Sequence, residues 1–192
     1  MADFGEERSV EQAPYAGKFV PLITCPQVAH QQACAFAHVG PQDVACDLGC
    51  GLGGFCLEAA KCGAHAIGLD INIEILRQAE AHAKESAVAH MCTFRQCDFT
   101  SPDFEVPSEV TVLFMYLLPW ALDYLDRELH RFLDRGGRFI TFQFHPANLE
   151  ASTVYLFGAL KLYGPTRSKE LLDAGEPTEQ CSNSVQCLDA MD

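Results

Sequence analysis

An apolar run, Val44-Ala45-Cys46, leads directly into Asp47-Leu48-Gly49-Cys50-Gly51-Leu52-Gly53-Gly54. Few backbone arrangements use four glycines at this spacing. A strand that turns sharply into a helix does, because a residue without Cβ can adopt positive φ and pass close to a ligand where any side chain would collide. The helix that follows offers its unpaired N–H groups to that ligand. Asp47, before the first glycine, adds an acceptor for a cationic group. The loop therefore points to a nucleotide-like ligand that carries a positive charge of its own.

The rest of the composition sets the frame for that loop. A chain of 192 residues, 48% apolar and 20% charged, reads as one globular domain with enough length to bury a core. Thirteen Lys and Arg against twenty-six Asp and Glu give a formal charge of −13. Such a field opposes nucleic acid and anionic membrane surfaces and favours a basic protein partner. Ten cysteines are present, yet no pair has C-x-x-C spacing and no histidine cluster completes a zinc site, so no metal is expected. Several lie inside apolar patterns, where a thiol acts as a small hydrophobe. The first residues, Met1 to Ser9, are acidic and lack an apolar centre, and no run reaches membrane-spanning length. A cytoplasmic protein with reduced thiols is the expectation.

Along the chain, residues 1–14 and 164–192 read as flexible flanks of a domain over 15–163. Gln27–Val39 is helix-compatible, with Val28, Cys34, Ala35 and His38 as a weak apolar face, and Gly40-Pro41 ends it. Strand-like and helix-like segments then alternate. Strands are expected at Val44–Asp47, Ala66–Asp70, Cys92–Cys97, Val110–Tyr116 and Arg138–Phe144, and helices at Gly53–Lys61, Asn72–Ser86 and Pro119–Leu133. The last helix is amphipathic through Leu122, Leu125, Leu129 and Phe132. Such alternation implies parallel strands joined by right-handed crossovers, hence an α/β, doubly wound, mostly parallel Rossmann-like sheet. After His145-Pro146 the pattern weakens: Thr153–Tyr163 reads as one further strand or a strand bent at Gly158. Whether this C-terminal strand pair is complete or leaves an open edge is undecided at this level.

Gly49-x-Gly51-x-x-Gly54 with Asp70 some twenty residues on also satisfies a dinucleotide fingerprint. Asp47 separates the readings: a carboxylate is unfavourable beside a pyrophosphate and favourable beside an amino group and a sulfonium. Cys97-Asp98-Phe99 ends the third strand with an acid and an aromatic suited to an adenine, and no second mononucleotide-binding half is apparent.

Asp47-x-Gly49-x-Gly51-x-Gly53, Asp70 and Cys97-Asp98-Phe99 resemble the cofactor motifs of class I S-adenosylmethionine-dependent methyltransferases. A closer similarity is to the lysine N-methyltransferases of the ATP synthase c-subunit and adenine nucleotide translocase. It rests on Phe19-Val20-Pro21, Ala59-Ala60-Lys61-Cys62-Gly63-Ala64, Tyr116-Leu117-Leu118-Pro119, Arg138-Phe139-Ile140 and Phe144-His145-Pro146, and spans residues 15–146. Two departures stand out. The N-terminal apolar segment of those eukaryotic enzymes is absent, and their glutamate-asparagine pair at the second strand is replaced by Leu69-Asp70-Ile71-Asn72.

The resemblance implies S-adenosylmethionine as cofactor and a protein lysine as methyl acceptor. A small-molecule acceptor on the same scaffold, or a catalytically silent cofactor-binding subunit, are the alternatives. It also distributes roles. Asp47 accepts from the cofactor's amino group, Gly49, Gly51 and Gly53 admit its methionine portion, and Asp70 takes the ribose hydroxyls. Asp98 accepts from the adenine amine and Phe99 packs on the ring. Tyr116 and Pro119, after the fourth strand, orient the acceptor, with Phe19, Trp120 and Phe144 as an apolar channel for a lysine stem. His145 carries no assigned role. Methyl transfer from a sulfonium needs orientation and desolvation more than acid–base groups, which accounts for the lack of any catalytic triad in the sequence.

Overall fold

A computed structural model describes residues 24–155 and 158–165. The expected flexible flanks and Phe19 lie largely or wholly outside those residues. In chain order the elements are α1 (Gln27–Phe36), β1 (Val44–Leu48), α2 (Gly54–Lys61), β2 (His65–Asp70) and α3 (Ile73–Lys84). A short 3-10 turn (Ala89–Met91) precedes β3 (Cys92–Gln96), then come β4 (Val112–Met115), α4 (Pro119–Asp134), β5 (Arg138–Phe142), β6 (Thr153–Tyr155) and β7 (Leu160–Tyr163).

The strands form one seven-stranded sheet in the order β3-β2-β1-β4-β5-β7-β6. The first five are mutually parallel, and β7 runs antiparallel between β5 and β6. This is the doubly wound, mostly parallel sheet that the strand–helix alternation predicts. β1 and β4 are buried almost throughout, as central strands covered on both faces must be. The chain leaves β1 toward β2 and β3, then returns past β1 to start β4. The strand order thus reverses between β1 and β4, and a crevice opens at their C-terminal ends.

Each face carries its own core. On one, α1 and α2 cover Phe114, against which Phe55 stacks at 4.5 Å between ring centroids. On the other, α4 buries Leu122, Leu125, Leu129 and Phe132, the stripe read from the sequence. Gly136, at φ +84°, ends α4: its N–H donates to Leu133 C=O at 2.9 Å and that of Gly137 to Phe132 C=O at 3.0 Å.

Three expectations are revised. The buried face of α1 is Ala29, His30, Ala33 and Cys34, while Val28 is exposed and His38 lies beyond the helix at φ +50°. Strand β5 stops at Phe142, two residues early, because Gln143 takes φ +61° and leaves extended backbone. The weakly patterned C-terminal stretch forms two strands that complete the sheet, with Gly158 between them at φ +92°. Tyr163 of β7 stacks on Phe139 of β5 at 4.4 Å, an inter-strand contact that single-strand periodicity does not reveal. Among the described residues no helix is long and apolar enough to cross a membrane.

Candidate active site

The glycine loop is tied to the tip of β2. Gly49 and Cys50 donate their N–H groups to Leu69 C=O at 2.8 and 3.0 Å. Asp70 accepts from Gly51 N–H through Oδ2 at 3.0 Å and from Asn72 N–H through Oδ1 at 2.9 Å. Asn72 itself caps α3, its Oδ1 accepting from Glu74 and Ile75 N–H. Gly49 sits at φ +77°, and a Cβ there would lie 2.9 Å from Leu117. Gly53, at φ +80°, has a packing reason instead: its Cβ would meet the Phe94 ring at 2.8 Å.

A cleft of about 480 Å³ opens at this loop. Asp47, Gly49, Gly51, Asp70, Phe99 and Tyr116, all singled out from the sequence, line it. Gly53, Asp98 and Pro119 do not. Gly53 packs behind the loop. Asp98 is exposed, and its Oδ1 accepts from Thr100 N–H at 2.8 Å and Thr100 Oγ1–H at 2.9 Å, shaping the turn that presents Phe99. Pro119 is exposed as the first residue of α4, where its missing N–H costs no helical bond.

Asp47 is only 4% exposed. Burial and the neighbouring Asp70 carboxylate push its pKa well above the usual range. Among the described residues none donates a hydrogen bond to it. A buried carboxylate beside a second acid favours a cation as its partner. The ammonium and sulfonium of S-adenosylmethionine meet that need, and Gly49, Gly51 and Asp70 line the adjoining part of the cleft. The residues present fit the cofactor.

The other end of the cleft is aromatic. Tyr116, just past β4, stacks on Phe144 at 6.4 Å and meets Phe142 edge-on at 5.1 Å, and its O–H donates to Gln143 Oε1 at 2.8 Å. Trp120 and Phe144 line the same space. Burial, with a smaller contribution from Cys25, raises the Tyr116 pKa. His145 is committed elsewhere: its Nδ1 lies 2.7 Å from Thr141 Oγ1 and its Nε2 2.9 Å from Gly158 C=O, which pins β5 to the C-terminal hairpin.

Sequence reasoning passed over His30, Cys25 and Glu58, which also line the cleft. His30 is 8% exposed and packs edge-on against Phe55 and Phe114. Burial pushes its pKa down to about 4 despite an opposing pull from Glu58. Buried Glu58 accepts from Gln27 Nε2 at 3.0 Å and Lys61 Nζ at 2.8 Å. Burial raises the Cys25 thiol to about 12, so it stays protonated. The one signal in the sequence was Gly54: a Cβ there would lie 2.5 Å from the His30 ring, so its glycine is required by α1.

Comparison with known proteins agrees with the fold. A family profile for the ANTKMT methyltransferase domain matches residues 47–153. A protein-lysine N-methyltransferase of Saccharolobus islandicus is 31% identical over 127 residues, covering 65% of this chain and 77% of that protein. The ribosomal protein L11 methyltransferase of Thermus thermophilus is 36% identical over 84 residues, 38% of this chain and 33% of that one. Among solved structures, an RNA methyltransferase from Salinibacter ruber bound to S-adenosyl-L-homocysteine superposes with a TM-score of 0.66 at 26% identity. That match covers 77% of this chain and 97% of the other.

Proposed function

This chain belongs to the family of the ANTKMT methyltransferase domain and is an S-adenosylmethionine-dependent methyltransferase; from that premise we propose that its methyl acceptor is the side-chain amine of a protein lysine. The observation that carries the acceptor reading is the aromatic end of the cleft, where Tyr116, Phe144 and Trp120 stand together. Such walls accept the apolar stem of a lysine and attract its ammonium before deprotonation. The similarity to a protein-lysine N-methyltransferase over 77% of that protein supports it. A formal charge of −13 supports a basic protein partner over a nucleic acid.

We assign the cofactor contacts to this chain as follows. Asp47 holds the amino group, and the backbone at Gly49 and Gly51 borders the methionine portion. Asp70 accepts from the ribose hydroxyls while keeping its bonds to the loop. Phe99 packs on the adenine, and Asp98 Oδ2 takes the exocyclic amine. Gly53 and Pro119 support the loop and α4. When bound, the cofactor supplies an activated methyl group on a sulfonium, which leaves as a neutral thioether. The acceptor nitrogen must arrive with its lone pair free, and its proton passes to solvent at the cleft mouth. The protein's share is to orient that nitrogen and exclude water, for which an aromatic wall suffices and a strong base is unnecessary.

The test is incubation of the protein with methyl-labelled S-adenosylmethionine in a cell lysate. Methyl-lysine after acid hydrolysis of labelled protein is the expected result, and it should be lost in Asp70→Ala. Label confined to the low-mass fraction would replace the reading with a small-molecule acceptor, and nuclease-sensitive label with a nucleic acid. Binding of S-adenosylhomocysteine without any labelling would indicate a silent subunit.

A further inference from the structure

The end of β5 contains a feature that neither the fold nor the cofactor site requires. Phe144 N–H donates to Phe142 C=O at 2.8 Å, closing a three-residue turn around Gln143 at φ +61°. A γ-turn with positive φ at its centre is rare and strained, and a non-glycine residue there is rarer still. Gln143 N–H donates to Ala159 C=O at 2.7 Å, so the C-terminal hairpin holds the strain in place.

The turn has one geometric consequence. In a continuing strand, successive side chains point to opposite faces, so Phe142, Gln143 and Phe144 could not all reach one neighbour. Here all three converge on Tyr116: Phe142 meets its ring edge-on, Phe144 stacks on it, and the Gln143 carboxamide accepts its O–H at 2.8 Å. Strain kept beside a cleft and spent on aiming a single side chain is characteristic of a positioning device.

We propose that Gln143 is a positioning residue: by accepting the hydrogen bond of the Tyr116 hydroxyl it leaves the phenolic oxygen facing the cleft as an acceptor, which selects and orients an acceptor amine through its N–H. This rests on the reading of Tyr116 as lining the acceptor end. A phenol whose proton is already donated has only lone pairs to offer. It therefore favours a group that donates, such as an amine, over a carboxylate or phosphate, which cannot.

Gln143→Gly is the informative substitution, because glycine adopts positive φ without strain and the turn should survive. In labelled-methyl assays, Gln143→Gly should lower kcat by about tenfold, the loss expected of one oriented hydrogen bond. Affinity for S-adenosylhomocysteine and Tm should be preserved. Tyr116→Phe should lose a similar factor, and Gln143→Gly with Tyr116→Phe no more than Tyr116→Phe alone. Gln143→Glu, which retains an acceptor, should recover most of the rate. Phenolate absorbance, read as the difference between each protein and its Tyr116→Phe counterpart, gives a measure independent of turnover. Tyr116 should ionise at lower pH in Gln143→Gly than in the wild type.

Wild-type kcat in Gln143→Gly, additive losses in the double variant, or an unchanged Tyr116 titration would each overturn the proposal. Methyl groups delivered to oxygen, sulfur or carbon would overturn both it and the lysine reading. N-methylation of a small amine would overturn the lysine reading alone. If no label transfers at all, the lysine reading fails while the Tyr116 titration still decides the role of Gln143.

Discussion

At Asp47 two requirements conflict. A carboxylate at 4% exposure, with Asp70 as its electrostatic neighbour, raises the free energy of the cofactor-free protein, and that same cost makes the position receptive to a cation. Asp47→Asn keeps the volume and removes the charge. The apo protein is expected to melt no lower than the wild type, while S-adenosylhomocysteine binding weakens by about 2 kcal/mol or more, the scale of a charge-assisted hydrogen bond. Thermal denaturation and calorimetry report the two halves separately, and a drop in Tm would contradict the first. The pH dependence has a definite sign. Because the apo pKa of Asp47 is raised, acidification through that value protonates the carboxylate, and affinity should fall by up to about tenfold per pH unit below it. Asp47→Asn should remove this dependence. Asp70 acts differently, since it also holds Gly51 N–H and Asn72 N–H. Asp70→Ala should weaken cofactor binding by about 1.5–3 kcal/mol and lower stability as well, because the loop loses its tether to β2.

At the level of elements, α1 docks on α2 through His30, which fits over Gly54 and edge-on against the stacked pair Phe55 and Phe114. Its imidazole is neutral in the fold, with a pKa of about 4, against an ordinary value near 6.5 in the unfolded chain. As pH falls below 6.5 the unfolded state takes up the proton first. Stability is therefore expected to decline between pH 6.5 and 4, by about 3 kcal/mol in all, and then to level off with respect to this group. Urea denaturation at pH 7 and 4.5 measures the decline, and His30→Leu should flatten it. Sequence periodicity made α4 and its leucine stripe legible, as it did the strand–loop–helix at Asp47–Lys61 and the acid at Asp70, because local pattern and tertiary role coincide there. α1 was readable as a helix but not in orientation: only the fit of His30 over Gly54 decides which side is inward. The turn at Gln143 gave no sign, since glutamine is not a residue that marks positive φ. β6 was obscure for a third reason, being a three-residue edge strand exposed throughout, with no buried alternation to detect.

Across the whole molecule, the cleft at the C-terminal ends of the strands is balanced by a buried polar network at their N-terminal ends. Arg138, the first residue of β5, pairs through both terminal nitrogens with Asp43, at 2.9 and 3.1 Å, and donates to Ala37 and His38 C=O behind α1. Thr111 Oγ1, just before β4, and Gly40 N–H also donate to the carboxylate, at 2.8 and 3.0 Å. One guanidinium thus joins the residues after α1 to the starts of β1 and β5 across 95 to 101 residues of chain, and Thr111 brings in β4 through Asp43. Both members are almost fully buried, so removing either takes the opposite charge away from a group that burial has stripped of water. Arg138→Met should cost about 3–5 kcal/mol of stability, whereas Asp43→Val combined with Arg138→Met should recover much of that loss, because burying a pair costs desolvation that an apolar replacement avoids. Burial alone would raise the Asp43 pKa, but its bonds to Arg138, Thr111 and Gly40 outweigh burial and hold it below the usual carboxylate value. A depressed carboxylate stabilises fully above the unfolded value near 3.9 and loses that contribution as pH falls through the folded value. Acid unfolding of the wild type should accordingly show this second decline below the range in which His30 titrates, and the double variant should lack it. S-adenosylhomocysteine affinity of the folded double variant should match the wild type, since the network lies at the far ends of the strands that bear the cleft. Weakened binding without loss of stability would show instead that this network and the cleft are coupled through β4 and β5.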